Sequence, residues 1–462
     1  MEKNSLYRKQ DIDVISGKID EIVAFADIKK TQLITPTYQE YLIIFKLISN
    51  YIKENKRIVY GGIAINEMLK DKSPEDIIYK EYSKNDIEIY SFDPYTDVKN
   101  ICDMLYKKKF QYIEGAEADH PGTFTIFVNF DKYCDITYVP KIIYHNLPFI
   151  EVNGYKLIHP SFMLVDTLRV YSDPLTSYFR LKKTFDRSNL LFKVVSFNPA
   201  TGNIKEDKQY ISLLNDLVPK IVKIPNIIFI DDSAYNYYME QSTGKKIDES
   251  HIGILVPHLE KNGQLIYNIF LDTIAEKDKN FRENIKVEEY NIFFQFWNRR
   301  IILYYKNTPI ITMYQNKYKC YQYRKIARYN TNINIGNLTL VMLNYLIHWH
   351  YNKIYKFDKD DIQEYQYRLG NLIEARNKYL TKHKLTILDE SPFQEFQIEC
   401  IGETFDFKYT TRLNRLKRFE KGVAVVRRYN PGADKNNLTD LITFPNEAGT
   451  LITNDNLKII KL

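Results

Sequence analysis

The sequence predicts an α/β (α+β) protein built of two sheet domains, the second a degenerate copy of the first. Three observations carry this. At 462 residues the chain is longer than one hydrophobic core comfortably serves. Up to about residue 190, segments with the helical apolar period alternate with short segments that have the two-residue period of strands. A landmark of that first part, RIVYGGIAINEML (57–69), is echoed later by IIFIDDSAYNYYM (227–239), and a single recurrence at this length points to duplication rather than a solenoid.

The elements follow in order. Residues 35–55 place Tyr41, Ile44, Phe45 and Ile48 on one helical face. RIVYGG is a short apolar strand ending in two glycines, and IAINEMLK opens a helix. After the polar loop DKSPED, DIEIYSF (86–92) alternates as a strand does, and TDVKNICDMLYKKKF has helical spacing. TFTIFVNF (123–130) and CDITYVP (134–140) are two further strands. From Pro160 to about Val195 the chain is helical again, with a break where Asp173 serves as N-cap and Pro174 as first helical residue. Beyond the break Arg180, Lys183 and Arg187 share one helix face. The domains are therefore drawn at 1–190 and 191–462, the second ending in a polar, loosely ordered tail from about YNPGADKNNLTD.

In the echo, Ala234 and Asn236 match Ala64 and Asn66, Asp231-Asp232 stand for Gly61-Gly62, and WNRRIILYYK (297–306) aligns with FDKYCDITYV (130–139). That alignment puts Ile302 in the place of Asp135, and no Asp-x-Glu strand occurs near residue 256. The second copy is expected to have lost its chemistry and to serve a structural or RNA-binding role.

The chemistry-bearing residues lie in the first copy. A strand ending in Gly61-Gly62 and opening a helix lets a ligand approach the backbone and presents free amides at a positive helix end, a phosphate site in outline. Asp86 and Glu88 flank Ile87 on one strand, so they share a face about 7 Å apart while Ile87 packs inward. Two such carboxylates repel unless a cation lies between them, and hard oxygen donors suit Mg²⁺ or Mn²⁺. Asp135, in an otherwise largely apolar strand, supplies a third carboxylate that would be expensive unpaired. Together they form a site for two metal ions, one to activate an attacking hydroxyl and one to hold a triphosphate. Arg180, Lys182, Lys183 and Arg187 follow these strands and are candidate triphosphate contacts.

Composition adds bounds. With 44% hydrophobic and 27% charged residues, the chain reads as a soluble globular protein. No run approaches the roughly 18 apolar residues of a membrane helix, and the charged N-terminus lacks a secretory stretch. Cys102, Cys134, Cys320 and Cys400 are far apart without a CxxC pair, which argues against zinc and against a disulfide framework and fits a reducing compartment. The net charge of +7 is modest, but 65 Lys+Arg beside 38 Tyr suit a single-stranded nucleic acid, unless A+T-rich coding explains them. Residues 310–330 (with Lys317, Lys319, Arg324 and Arg328) and 408–428 (with Arg412, Arg415 and Lys417) are the candidate RNA tracks. His348 and His350 lie in an apolar helical run, where a separation of two sends them to different faces; they read as core residues rather than metal ligands.

A glycine pair, Asp-x-Glu on one strand and Asp on a later strand resemble the nucleotidyltransferase superfamily that includes DNA polymerase β and the poly(A) polymerases. YGGIAIN (60–66), DIEIYSF (86–92), CDITYVP (134–140) and DTLRVYSDPLTSYFRLKKTFDR (166–187) resemble, more closely, the poly(A) polymerase catalytic subunit of large cytoplasmic DNA viruses, the poxvirus type. The resemblance implies a polymerase-β-like nucleotidyltransferase domain followed by an inactive domain of related fold. It implies template-independent addition of AMP from ATP to RNA 3′ ends, with two Mg²⁺ or Mn²⁺ ions on Asp86, Glu88 and Asp135 and the triphosphate facing Gly61 and Gly62. It also implies work in the host cytoplasm or the virion, and a methyltransferase subunit or a homodimer as source of processivity. Two departures stand out: Ile63 replaces the Ser common after the glycines, and Glu88 replaces the commoner second Asp. The rival readings are an oligoadenylate synthase or CCA-adding enzyme, and an inactive RNA-binding processivity protein.

Overall fold

Residues 6–33, 38–80, 83–120, 122–204, 210–317, 319–402, 407–433, 449 and 451–452 are described in a computed structural model of the chain. The first copy opens with α1 (Lys9–Leu33) and α2 (Tyr38–Glu54), then β1 (Ile58–Tyr60), α3 (Gly61–Lys72), β2 (Ile87–Ser91) and α4 (Pro94–Lys107). Strands β3 (Glu114–Glu117), β4 (Thr123–Val128) and β5 (Asp131–Tyr138) follow, then α5 (Lys141–Asn146), β6 (Phe149–Val152) and β7 (Tyr155–Ile158). Helices α6 (Pro160–Ser172), α7 (Pro174–Ser177) and α8 (Leu181–Val194) close it. Asp173 caps α7 as its sequence position predicts, its carboxylate accepting from the Thr176 amide.

The second copy has α9 (Ile211–Ile221), β8 (Ile228–Phe229), α10 (Asp232–Ser242), β9 (Ile252–Val256) and α11 (Leu259–Ala275). Next come β10 (Ile285–Tyr290), β11 (Arg300–Tyr305), β12 (Thr308–Gln315), β13 (Tyr321–Arg328) and β14 (Thr331–Gly336). Helices α12 (Leu338–Ile354) and α13 (Lys359–His383) precede β15 (Cys400–Ile401), α14 (Phe407–Glu420), β16 (Arg428–Tyr429) and β17 (Leu451–Ile452).

The duplication is visible in the strand order. The first sheet runs β16-β3-β4-β5-β2-β1-β7-β6, and the second, read backwards, runs β17-β10-β11-β12-β9-β8-β14-β13-β15. Each copy thus has an antiparallel turn-bearing strand beside a central strand, and the central strand pairs in parallel with the last strand of a hairpin. Helix packing repeats as well: α3 and α6 against α8 in the first copy, α10 and α12 against α13 in the second. The equivalent helices α6 and α12 pack on each other and join the copies.

Two expectations are corrected here. Cys320 and Cys400 are joined by a disulfide with Cα atoms 5.2 Å apart, because β13 pairs with β15 (Gln322 opposite Cys400). A bridge across 80 residues leaves no spacing signal in the sequence. Cys102 and Cys134 are free and buried. The C-terminal stretch is also not wholly a tail: β16 returns to the first sheet beside β3, and β17 edges the second beside β10. Residues 434–448, 450 and 453–462 of the expected tail lie outside the described residues. No helix among the described residues is long and apolar enough to cross a membrane.

Candidate active site

Gly61, the first residue of α3 directly after β1, has φ +69°, a backbone conformation that costs a side chain-bearing residue dearly. Space forbids a side chain as well, since a Cβ at 61 would fall within the Glu88 carboxylate. The helix start has no side-chain cap, and the Gly62 amide donates instead to Glu88 Oε2 at 3.0 Å. A carboxylate at a helix N-terminus is favoured by the helix dipole, and the same amides would favour a phosphate.

Glu88 on β2 lies opposite Asp135 on the parallel neighbour β5. Burial pushes the Glu88 carboxyl above its usual range, against the pull of Arg187 and the Gly62 amide. For Asp86 burial acts upward too, but Lys132 outweighs it and the carboxyl is held below the usual range. Lys132 Nζ lies 2.5 Å from Asp86 Oδ2 and 2.6 Å from Asp135 Oδ2, a cation held between two carboxylates. Thr125 donates to the other Asp135 oxygen at 2.6 Å. Three hard-oxygen side chains on one sheet face, two already gathered on a cation, are a donor set that fits Mg²⁺ or Mn²⁺. Among the described residues no three such side chains stand together as a ready cage. Glu88 is turned to Gly62, and Lys132 occupies the space between the other two.

Lys132 escapes sequence reasoning for a definite reason. Strict alternation puts residues 132 and 135 on opposite faces of a strand. A bulge in β5 pairs Ile126 with Cys134 but Phe127 with Lys132, so Tyr133 is extra and Lys132 turns to the face of Asp135.

The cations of α8 divide. The Arg187 guanidinium and the Tyr79 hydroxyl crowd Gly62 and lie 3.5 Å apart, so a Cβ at 62 would strike both. Lys183 has its ammonium pushed down by Arg187 first and by partial burial second, while Glu88 and Asp86 oppose the shift from across the site. Arg180 meets His120 at 2.9 Å. Lys182 faces away, exposed and paired with Asp186 at 3.0 Å. Tyr79 was not singled out in the sequence; its loop is fixed to α3 by the Asn66 side chain, which accepts from the Tyr79 amide at 3.1 Å. Ile63, which stands where a serine is common, is buried and offers no hydroxyl.

The second copy keeps this plan with the chemistry removed. The register sets Ile230 beside Gly253 and Gly253 beside Thr312, as Tyr60 is set beside Glu88 and Glu88 beside Asp135. The counterparts of Asp86, Glu88 and Asp135 are therefore His251, Gly253 and Thr312. The expectation that Ile302 replaces Asp135 is one strand off, since Ile302 lies on β11 opposite Thr312. Equal spacing misled because α11 has 17 residues where α4 has 14, and a 3₁₀ turn (Phe281–Asn284) is added before β10. Asp231 fills the space that a side chain at 253 would need and meets His251 Nδ1 at 3.3 Å. Burial works against the Asp231 carboxylate, yet His251 outweighs it and holds the carboxyl down at about 2. His251 Nε2 meets Thr312 Oγ1 at 2.8 Å. Asp232 accepts from Arg368 at 2.7 Å and from the Ser250 and His251 amides at 3.0 and 3.1 Å. Arg368 on α13 thus faces the turn of its copy as Arg187 on α8 faces Gly62.

Similarity to known proteins agrees with both halves of this plan. Residues 46–177 match the family model described as poly(A) polymerase catalytic subunit. Residues 204–461 match one described as “APMV, Putative poly(A) polymerase, catalytic subunit, C-terminal”. The protein so described in Acanthamoeba polyphaga mimivirus is 32% identical over 447 residues, covering 90% of this chain and 76% of that protein. The chain belongs to the poly(A) polymerase catalytic subunit family of large DNA viruses. A similarly described protein of African swine fever virus (strain Badajoz 1971 Vero-adapted) is 28% identical over 154 residues, 32% of each chain. The crystal structure of the Megavirus polyadenylate synthase superposes with a TM-score of 0.88 at 29% identity, covering 99% of this chain and 95% of that one. Poly(A) synthesis, with ATP as substrate and a divalent metal, is the general activity of such polymerases.

Within this polymerase the two basic segments fare differently. On β13 and just before it, Lys319 pairs with Asp173 at 3.3 Å, and Arg324 donates to the Gln394 carbonyl at 3.1 Å. Arg328 pairs with Glu240 at 3.2 Å and with Glu249. Lys317 is exposed. On α14, Arg412 and Lys417 are exposed, while Arg415 pairs with Asp119 at 2.9 Å and Arg418 with Glu117 at 2.6 Å, which seats α14 against the first sheet. His348 and His350 are core residues, as their setting in the sequence suggests: His348 meets the Tyr314 hydroxyl at 2.6 Å, and His350 Nε2 meets the Ser161 carbonyl at 3.1 Å across the α6–α12 contact.

Proposed function

We propose that this chain adds AMP from ATP to RNA 3′ ends without a template, with Asp86, Glu88 and Asp135 holding two Mg²⁺ or Mn²⁺ ions. The observation that carries the reading is the set of carboxylates on adjacent strands, two of them already closed on the Lys132 ammonium and the third on the Gly62 amide of the glycine turn. Bound divalent ions supply charge that favours the 3′ alkoxide and steadies the departing pyrophosphate. The chain's own residues supply position. Gly61 and Gly62 let the triphosphate approach the backbone, and Arg187 and Lys183 neutralise it from α8. The Tyr79 hydroxyl offers the contact that Ile63 lacks. Arg180, which meets His120 just before α8, is assigned to the same cationic side of the site. The catalytic unit is residues 1–190, completed by the return of α14 and β16, and the rest of the 191–462 segment is a non-catalytic copy. The work is placed in the host cytoplasm or the virion.

For a partner we favour a second copy of the chain. Helix α1 exposes Ile12, Ile15, Ile19 and Ile22 at the three-then-four spacing of a coiled-coil seam. The deciding experiment offers the protein a short RNA, Mg²⁺ or Mn²⁺, and each nucleotide separately. Extension with ATP alone is expected; equal use of all four nucleotides, or none, would overturn the reading.

A further inference from the structure

The sequence S-Y-F-R (177–180) leaves α7 through a single 3₁₀ turn, Tyr178–Arg180, and enters α8. Aromatic rings in such a turn ordinarily fold inward, because each brings a large apolar area to bury. Here Tyr178 is 72% exposed and Phe179 62%, and the two rings meet edge-to-face at 5.7 Å. Phe185, further along α8, is 54% exposed. Two large exposed rings side by side, at Tyr178 and Phe179, are the feature here that invites a docking partner.

The surroundings say what docks. The Arg180 guanidinium lies 5.7 Å from the Phe179 ring centre and reaches His120 at 2.9 Å. The His120 carbonyl accepts from the Thr123 amide on β4 at 3.1 Å, two residues before Thr125, which donates to Asp135, so the rings stand at the rim of the carboxylate site. Lys183, in the first turn of α8, adds a second cation that the Asp86 and Glu88 carboxylates attract. On the other side of His120, Asp119 accepts Thr411 at its carbonyl at 3.1 Å and Arg415 at its carboxylate, so α14 with Arg412 and Lys417 continues the cationic rim. Flat rings bordered by separated cations suit a polyanion that carries flat bases, which is single-stranded nucleic acid. The β13 segment suits it less, because Lys319, Arg324 and Arg328 are engaged within the chain.

We infer that the last bases of the acceptor RNA stack on Tyr178 and Phe179, while its backbone leaves along Arg412 and Lys417 of α14. The inference rests on the polymerase reading and adds the surface that presents the 3′ end to the site. Fluorescence anisotropy of a labelled oligo(A) on the full chain tests it. Tyr178→Ala and Phe179→Ala should each weaken RNA binding about 5- to 150-fold, the range for loss of one stacked base. Phe179→Trp should restore binding, and affinity for a non-hydrolysable ATP analogue should hold. Arg412→Ala with Lys417→Ala should lower the salt slope of RNA binding by about 1.4, at ~0.7 for each single-strand phosphate contact. Unfolding temperatures should stay close to wild type, since the changed side chains are exposed. If the wild-type protein binds RNA and extends it but the aromatic variants bind as tightly, this inference alone falls. It falls equally if those variants keep RNA affinity and instead turn a dimer into monomers in sedimentation, which would give the surface to a second copy. If wild type binds no RNA, the polymerase reading falls with it.

Discussion

Asp232→Ala is the sharpest test of the division of labour between the two copies. Asp232 is 1% exposed and Arg368 6%. The carboxylate accepts from Arg368 and from two backbone amides, and the substitution leaves the buried Arg368 with Glu364 at 2.7 Å and the Tyr345 hydroxyl at 3.5 Å. Breaking a buried pair by removing one partner costs about 3–5 kcal/mol, and the stranded amides fall inside that figure rather than adding to it in full. At roughly 1–2 °C per kcal/mol for a unit of this size, the unfolding temperature should drop by about 3–10 °C. Single-turnover AMP transfer at saturating RNA, well below that transition, should stay within about twofold of wild type. Asp232→Asn, which keeps an acceptor for the amides, should lose less stability. Calorimetry and rapid-quench assays on the same preparations decide the matter. Loss of AMP transfer with an unchanged transition would show that the second copy takes part in chemistry.

The other predictions are quickly stated. Asp86→Ala and Asp135→Asn should each abolish nucleotide addition while leaving circular dichroism and RNA affinity near wild type; normal extension by either would end the catalytic assignment. Tyr79→Phe removes one hydroxyl beside Gly62 and Arg187 and should raise the KM for ATP roughly tenfold, the worth of a hydrogen bond to a charged group; an unchanged KM would remove Tyr79 from the site. Lys132→Met should let the nucleotide-free protein bind Mn²⁺ more tightly in calorimetry, because the ammonium no longer competes; weaker binding would refute that role. Burial holds His348 and His350 down at about 3 in the folded chain, whereas the unfolded chain takes up the proton near pH 6.5. Stability is then full above about pH 6.5 and declines as pH falls toward 3, by up to about 2 kcal/mol per histidine at pH 5. Urea midpoints for wild type and His348→Gln/His350→Gln should diverge in their pH dependence, and equal slopes would refute the assignment.

Much of the first copy is legible from local pattern. The apolar face of α2, the glycine turn at φ +69°, the strand alternation that keeps Asp86 and Glu88 on one face and the Asp173 cap of α7 all follow from neighbours a few residues away. Asp135 is legible because a lone carboxylate in an apolar strand needs a partner. The echo at 227–239 announces the duplication, since a strand, a turn and a helix start recur together. Hairpin β6–β7 passes unread because its strands are short.

What the sequence by itself determined is the order of elements, the duplicated plan and the three carboxylates, because period, turn chemistry and the cost of an unpaired charge are local. Only the tertiary structure decided which other groups meet those carboxylates. The β5 bulge turns Lys132 onto their face, the loop after α3 brings Tyr79 to Gly62, and strand register, not spacing, names Thr312 as the counterpart of Asp135. Sheet pairing likewise joins Cys320 to Cys400. Each depends on register between segments far apart in the chain, and a one-residue change in register exchanges the faces of a strand without altering its local pattern.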